Sequence, residues 1–184
     1  MAAHDLLTQP RHDTRASSSN QGDAGELSYS DAHKDAHQAV LRDYGLLNRD
    51  NLDNSAFESI VNLAANMFNA PIALVNIANL EHECWSSRAQ RGLNVDGNPI
   101  QGSFCQHILS TRQLTVSPST VDDARFATLP SVRERPHIRF YVGVPLTVPE
   151  GITIGSLCVM DTAPHPHPSE NQLRMFEQLA TLTV

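Results

Sequence analysis

The chain is short of positive charge. Its 13 Lys and Arg stand against 20 Asp and Glu, for a formal net charge of −7 and a pI of about 5.6. A general nucleic-acid binder carries a basic stripe, and a protein held to anionic membranes carries basic clusters; neither is expected here. Cysteine is scarce as well. Cys84, Cys105 and Cys158 make an odd count without a Cys-x-x-Cys pair, which argues against a disulfide framework or a structural zinc site. No apolar run approaches the roughly 20 residues of a membrane span. The first residues lack the charged start and apolar middle of a secretory signal, so a cytoplasmic protein is expected. No acid–base pair and no phosphate-binding glycine loop stand out, and no enzyme activity is expected.

What is present suits one domain of ordinary size, with 40% hydrophobic residues in 184. Residues 1–30 are polar, around Ser17-Ser18-Ser19-Asn20, and read as a disordered tail. The domain is expected over 31–184, with its core from about 41. A short helix is predicted from Asp31 to Tyr44, ended by Gly45. Ser55-Ala56-Phe57-Glu58 reads as a capping box. Phe57, Ile60, Val61, Ala64, Ala65 and Phe68 then form one helical face.

Ile72 to Ile77, apolar but for Asn76, is a run that suits a central strand covered on both faces. A second strand is predicted around Trp85. Ser103 can cap a short helix, and Leu114 to Val116 suit a short strand. Phe140, Val142, Val144, Leu146 and Val148 alternate as in a half-buried strand, with Arg139 and Tyr141 on the other face. Pro149-Glu150-Gly151 supplies a turn into the strand Gly155–Asp161, where Cys158 is expected on the face of Ile154 and Met160. Ser169 to Gln172 form a second capping box. The helix it opens carries Leu173, Phe176, Leu179 and Ala180, and no stop signal precedes Val184. The implied class is α+β. A central antiparallel sheet would carry the N- and C-terminal helices on one face. Short helices and loops would form a pocket on the other.

Four motifs stand in order: Ser103-Phe104-Cys105-Gln106-His107, Asp123-Ala124-Arg125-Phe126, the stretch Ile138 to Leu146, and Gly155-Ser156-Leu157-Cys158-Val159-Met160-Asp161. From about Leu41 onward they make the chain resemble the GAF domain, a PAS-like sensory module. The likeness is to the subgroup found with bacterial histidine kinases and diguanylate cyclases. It departs from that subgroup at Ile100-Gln101-Gly102, Leu129-Pro130 and Pro164-His165. The resemblance implies two-component or cyclic-di-GMP signalling, a homodimer joined through its terminal helices, an output kinase or cyclase domain, and a pocket between the sheet and segments 103–109 and 122–138. Phe104, Cys105, His107, Asp123, Arg125, Phe126, Arg139, Tyr141 and Cys158 are the candidate ligand-binding residues. The cofactor is unknown. Residues 122–138 hold no cysteine for a covalent bilin, and neither the cyclic-nucleotide motif of the phosphodiesterase branch nor the motifs of the free methionine sulfoxide reductase are found.

Two alternatives accompany this reading. Cys105 could serve as a redox sensor or reductase thiol, with Cys84 or Cys158 resolving, although packing in the core is the expectation for both Cys105 and Cys158. The domain could also be a ligand-free dimerisation module. Asp122, Asp123, Arg125 and Arg139 could form a charged network that clamps an anion, or could pair among themselves and fasten a loop. His33 and His37 are expected to be exposed polar residues rather than metal ligands, and His165 and His167, set among prolines, to offer a fortuitous surface affinity for metal rather than a built site.

Overall fold

A computed structural model describes residues 29–47, 54–95 and 97–184. The expected tail lies outside the described residues except for Tyr29 and Ser30. Ser30 caps helix α1 (Asp31–Asp43) by accepting from His33 N. Helix α2 spans Ser55–Phe68 and ends on the left-handed Asn69. The capping box expected at Ser55 does not form: Ser55 is already inside the helix, and Asn54, the N-cap, makes no side-chain cap bond. Helix α5 (Glu170–Thr181) does carry the full box, with Ser169 and Gln172 bonding reciprocally. The remaining helices are α3 (Phe104–Thr111), capped by Ser103, and the single turn α4 (Pro130–Arg133).

The strands are β1 (Ile72–Asn79), β2 (Cys84–Arg91), β3 (Thr115–Ser117), β4 (Phe140–Thr147) and β5 (Thr153–Asp161). They form one sheet in the order β2-β1-β5-β4-β3 with every neighbouring pair antiparallel. The α+β arrangement read from the sequence is therefore the one observed. The apolar run of β1 is central, as expected, between β2 and β5. The alternation of β4 also holds. Phe140, Val142, Val144 and Leu146 join the core beneath α1, α2 and α5, whereas Tyr141 belongs to the core under α3. Successive strand residues face opposite ways, so the sheet separates two apolar layers. Phe176 of α5 anchors the first layer, packing edge-on to Phe68 at 5.0 Å.

Ile154 does not share a face with Cys158. Leu146 pairs with Gly155 and Thr147 with Thr153, which leaves Ile154 as an extra residue. Such a bulge reverses the facing of the residues after it. Ile154 accordingly joins the helix-side core with Leu157 and Val159, and Cys158 joins Met160 on the other side. A second bulge sets Ser87 opposite Asn76 but Ala89 opposite Val75, with Arg88 between them. It turns Ala89 toward the helices while Ser87 hydrogen-bonds Asn76.

Candidate functional site

The face opposite the terminal helices carries a cavity of about 510 Å³. Leu74 and Asn76 of β1, Trp85 of β2 and Met160 of β5 supply its floor and one wall. Residues 93–95 and 98–105 close one side and residues 130–138 the other. The apolar lining is Leu74, Trp85, Phe104, Ile138 and Met160; Asn94, Asn98, Gln101, Ser131, Glu134 and Arg135 supply polar groups. Such a lining suits a small, largely apolar ligand fixed by a few hydrogen bonds.

Short local bonds hold this wall. Ser103 Oγ accepts from Gln106 N at 3.2 Å, the helix cap, and from Trp85 Nε1 at 3.0 Å. The same hydroxyl donates to Ile100 O at 2.6 Å. One serine thus fixes the start of α3 and the indole plane together. On the other side, Ile138 N donates to Ser131 O and Thr120 Oγ1 donates to Ile138 O, at 2.8 and 2.6 Å. Arg139 secures the same loop, donating from Nη1 to Val132 O at 2.9 Å and to Ile138 O at 3.0 Å.

Of the nine candidate residues, Phe104 and Cys105 line the cavity. Tyr141 lies fully buried beneath Phe104, the two rings stacked at 4.7 Å. The phenol occupies the space above Gly143, where a Cβ would overlap its Oη. Burial holds the Tyr141 hydroxyl protonated, its pKa raised well above the ordinary value. Phe126 completes the aromatic cluster at 5.0 Å from Phe104 and 5.6 Å from Tyr141.

His107, Asp123 and Arg125 gather on the outer side of Phe126. His107 meets its ring edge-on at 5.5 Å, and the Arg125 guanidinium lies 5.0 Å from the ring centroid. Burial and, after it, Arg125 lower the pKa of His107. The Arg125 guanidinium grips Asp123 through Nε at 2.9 Å and Nη2 at 2.6 Å, and also donates to Val116 O. Burial pushes the Asp123 pKa up, but Arg125 and Ser117 together outweigh it and hold the carboxyl below its usual range. The suggested four-residue network is therefore divided. Asp123 pairs with Arg125, Asp122 accepts from Ser119 Oγ, and Arg139 serves backbone carbonyls.

Cys105 and Cys158 are both buried, and their sulfurs lie 3.7 Å apart. Tyr141 Oη donates toward Cys105 Sγ at 3.8 Å. The Cys158 thiol is the largest influence lowering the pKa of Cys105. Burial opposes it, and Ser156, Tyr141 and Asn76 add to it. Cys158 is pushed the other way, well above the ordinary thiol value, by its bond to Cys105 and by burial.

His37 and His165 depart from their expected exposure, whereas His167 is exposed as expected. His37 is fully buried, with neither ring nitrogen bonded. Its helical register turns it inward beside Val40 and Leu41, whereas His33 stacks on Tyr29 at 4.9 Å. His165 Nε2 lies 2.7 Å from Asp161 Oδ2, and its ring stacks on Phe140 at 4.3 Å. Among the described residues, no group of three or more His, Cys, Asp or Glu could hold a metal, and no helix is long and apolar enough to cross a membrane.

Sequence reasoning did not single out Trp85, Asn76, Leu74, Ile138 or Met160 as cavity residues. Two signals were available. Asn76 interrupts an otherwise apolar strand run, and Trp85 is the chain's single tryptophan. An isolated polar group in a buried run is there to be satisfied; Asn76 Oδ1 accepts from Ser87 Oγ on the cavity face.

Fold, motifs and cavity together define an α+β module with a single antiparallel sheet and a cavity on the face opposite its terminal helices. Residues 54–183 match the family model described as the GAF domain, and the chain belongs to that family. It is 38% identical over 150 residues to a cyclic di-GMP phosphodiesterase of Pseudomonas aeruginosa. That alignment takes in 81% of the chain and 25% of the relative, so the chain spans a quarter of the relative's length. Among solved structures it is similar to the GAF domain of an Acinetobacter phosphoenolpyruvate-protein phosphotransferase. The TM-score is 0.59 at 16% identity, covering 83% of this chain and 90% of that one. It is also similar to a domain of a protein described as a two-component sensor histidine kinase from Sinorhizobium meliloti. There the TM-score is 0.55 at 20% identity, with coverage of 72% and 88%. At these identities the two structures bear on the fold alone.

Proposed function

We propose that this chain is a regulatory sensory domain of a cyclic di-GMP signalling protein. It takes a small, largely apolar molecule with hydrogen-bonding groups into the cavity beneath α3 and relays occupancy through the sheet to α2 and α5. The observation that carries this reading is the cavity itself. Its apolar lining and amide rim lie on the opposite face of the sheet from the terminal helices. β4 and β5 present residues to both faces, Tyr141 beside Phe140 and Cys158 beside Leu157 and Val159, so displacement on one side is felt on the other. The relative's name supports a place in cyclic di-GMP signalling. The role is regulatory rather than catalytic. Among the described residues the cavity brings together carboxylate and guanidinium at Glu134 and Arg135, both exposed at its margin, and no nucleophile–base pair.

The test is native mass spectrometry of the purified chain against its denatured mass, with the fluorescence of Trp85 as a second readout. Trp85 is the chain's single tryptophan and lines the cavity. A reproducible adduct that shifts Trp85 emission, and is lost in the rim variant Asn98→Phe, is the expected result. No adduct, together with Trp85 emission unmoved across a broad metabolite library, would overturn it in favour of a ligand-free dimerisation module.

A further inference from the structure

The floor of the cavity contains chemistry that ligand binding does not require. Cys105 and Cys158 are 53 positions apart in sequence, on α3 and β5, and the fold brings their sulfurs to 3.7 Å. Two thiols at that separation are in van der Waals contact, and a bond of about 2.05 Å needs small side-chain rotations and a slight approach of α3 to β5. The pair is also asymmetric. Cys105 lines the cavity, whereas Cys158 is sealed beneath it with no exposed surface. A small oxidant entering the cavity therefore meets Cys105 first.

We propose that Cys105 and Cys158 form a reversible disulfide when a hydroperoxide enters the cavity, with Cys105 the reacting thiol and Cys158 the resolving one. The thiolate of Cys105 attacks one peroxide oxygen. The O–O bond breaks, Cys105 becomes a sulfenic acid, and the second oxygen leaves as hydroxide, taking a proton from solvent. Cys158 then attacks the Cys105 sulfur. The S–S bond forms, and the sulfenic hydroxyl leaves as water with the Cys158 proton. In sum, two thiols give up two electrons, and one hydrogen peroxide becomes two waters.

The surrounding side chains fit these roles. The Tyr141 hydroxyl donates toward Cys105, and the Cys158 thiol in contact with it can donate to a Cys105 thiolate; Ser156 and Asn76 add to this, so negative charge is stabilised on Cys105 and disfavoured on Cys158. That is the order of events the exposure of the two sulfurs also gives. The crosslink would tie α3, a wall of the cavity, to β5, a strand of its floor. It would hold the site in one shape whether or not a ligand is present, so this inference does not rest on the ligand reading above. Cys84, at the start of β2, is a free, half-buried thiol outside the pair.

The experiment treats the whole purified chain with a few equivalents of hydrogen peroxide, blocks remaining thiols by alkylation, and maps peptides by mass without reduction. The expected result is a loss of about 2 Da in the intact chain weighed before alkylation. A crosslinked peptide pair should contain Cys105 and Cys158 and disappear on treatment with dithiothreitol. Cys84→Ser should behave as wild type, and Cys158→Ser should stop at an oxygen adduct on Cys105. Because the mapping is done on the unsubstituted chain, it remains decisive if Cys158→Ser fails to fold. Oxidation confined to Cys84, or Cys105 gaining oxygen with Cys158 still free to alkylate, would overturn the proposal, as would no reaction at either sulfur.

Discussion

His37 shows how much one side chain can impose. It lies in the core with both ring nitrogens unbonded, and burial, reinforced by the nearby His33, lowers its pKa from 6.5 to about 4. The unfolded chain therefore binds a proton that the folded chain refuses between those two values. Stability from this group is fully present above about pH 6.5 and is lost as pH falls toward 4, at about 1.4 kcal/mol per unit. At pH 5 the loss from His37 is about 2 kcal/mol. Urea unfolding at pH 7.5 and pH 5 measures it. The His37→Leu variant should lose markedly less stability than wild type over that interval, and parallel losses in the two proteins would refute the assignment. His107 acts in the same direction, its pKa also being lowered by burial.

At the level of the element, two similar-looking helix starts behave differently. Ser169 accepts from Gln172 N while Gln172 Oε1 accepts from Ser169 N, at 3.3 and 3.0 Å. Ser55 stands one residue inside α2. Ser169→Ala should therefore cost about 1 kcal/mol, whereas Ser55→Ala, at a helical position where alanine is the better helix former, should cost nothing and gain at most about a few tenths of a kcal/mol. Denaturant midpoints of the two variants compare them directly. The same contrast shows what was legible in the sequence. The β4–β5 hairpin, the central β1 and the amphipathic faces of α2 and α5 were readable because each is written in local periodicity. The bulges at Ile154 and Arg88 were not, since two residues opposing one is a property of the pairing, and nothing in either strand alone marks it. The cavity depends on that pairing as well, and on loops whose residues carry no periodic signal. Hence Phe104 and Cys105 were anticipated at its wall, while Trp85, Leu74 and Met160 were read merely as strand residues. The proximity of Cys105 and Cys158 required the whole crossover from α3 to β5.

For the whole molecule, the sheet is a shared partition. One core lies under α1, α2 and α5 and the other under α3, and every strand except the short β3 contributes buried side chains to both. The helix side also presents apolar surface outward: Leu63 on α2 is 57% exposed, Met175 on α5 47%, and Leu182 79%. A homodimer formed through these helices would cover such residues. Leu63→Glu should then shift a dimer toward monomer in sedimentation velocity with little change in unfolding midpoint, because the side chain is outside the core. An unchanged sedimentation coefficient would reject this seam. Removing residues 169–184 is a poorer probe, since it takes the fully buried Phe176 out of the core.

The phenol lying over Gly143 limits how this sequence can drift. Tyr141 holds the Cys105 sulfur from one side and supports Phe104 from the other, and it can do so because position 143 contributes no side-chain atom. The two positions therefore form a single heritable unit. A lineage that acquires any side chain at 143 has to surrender the ring at 141, and with it the hydroxyl beside the thiol. In a collection of descendants, glycine at one position and tyrosine two residues earlier should be kept together or lost together.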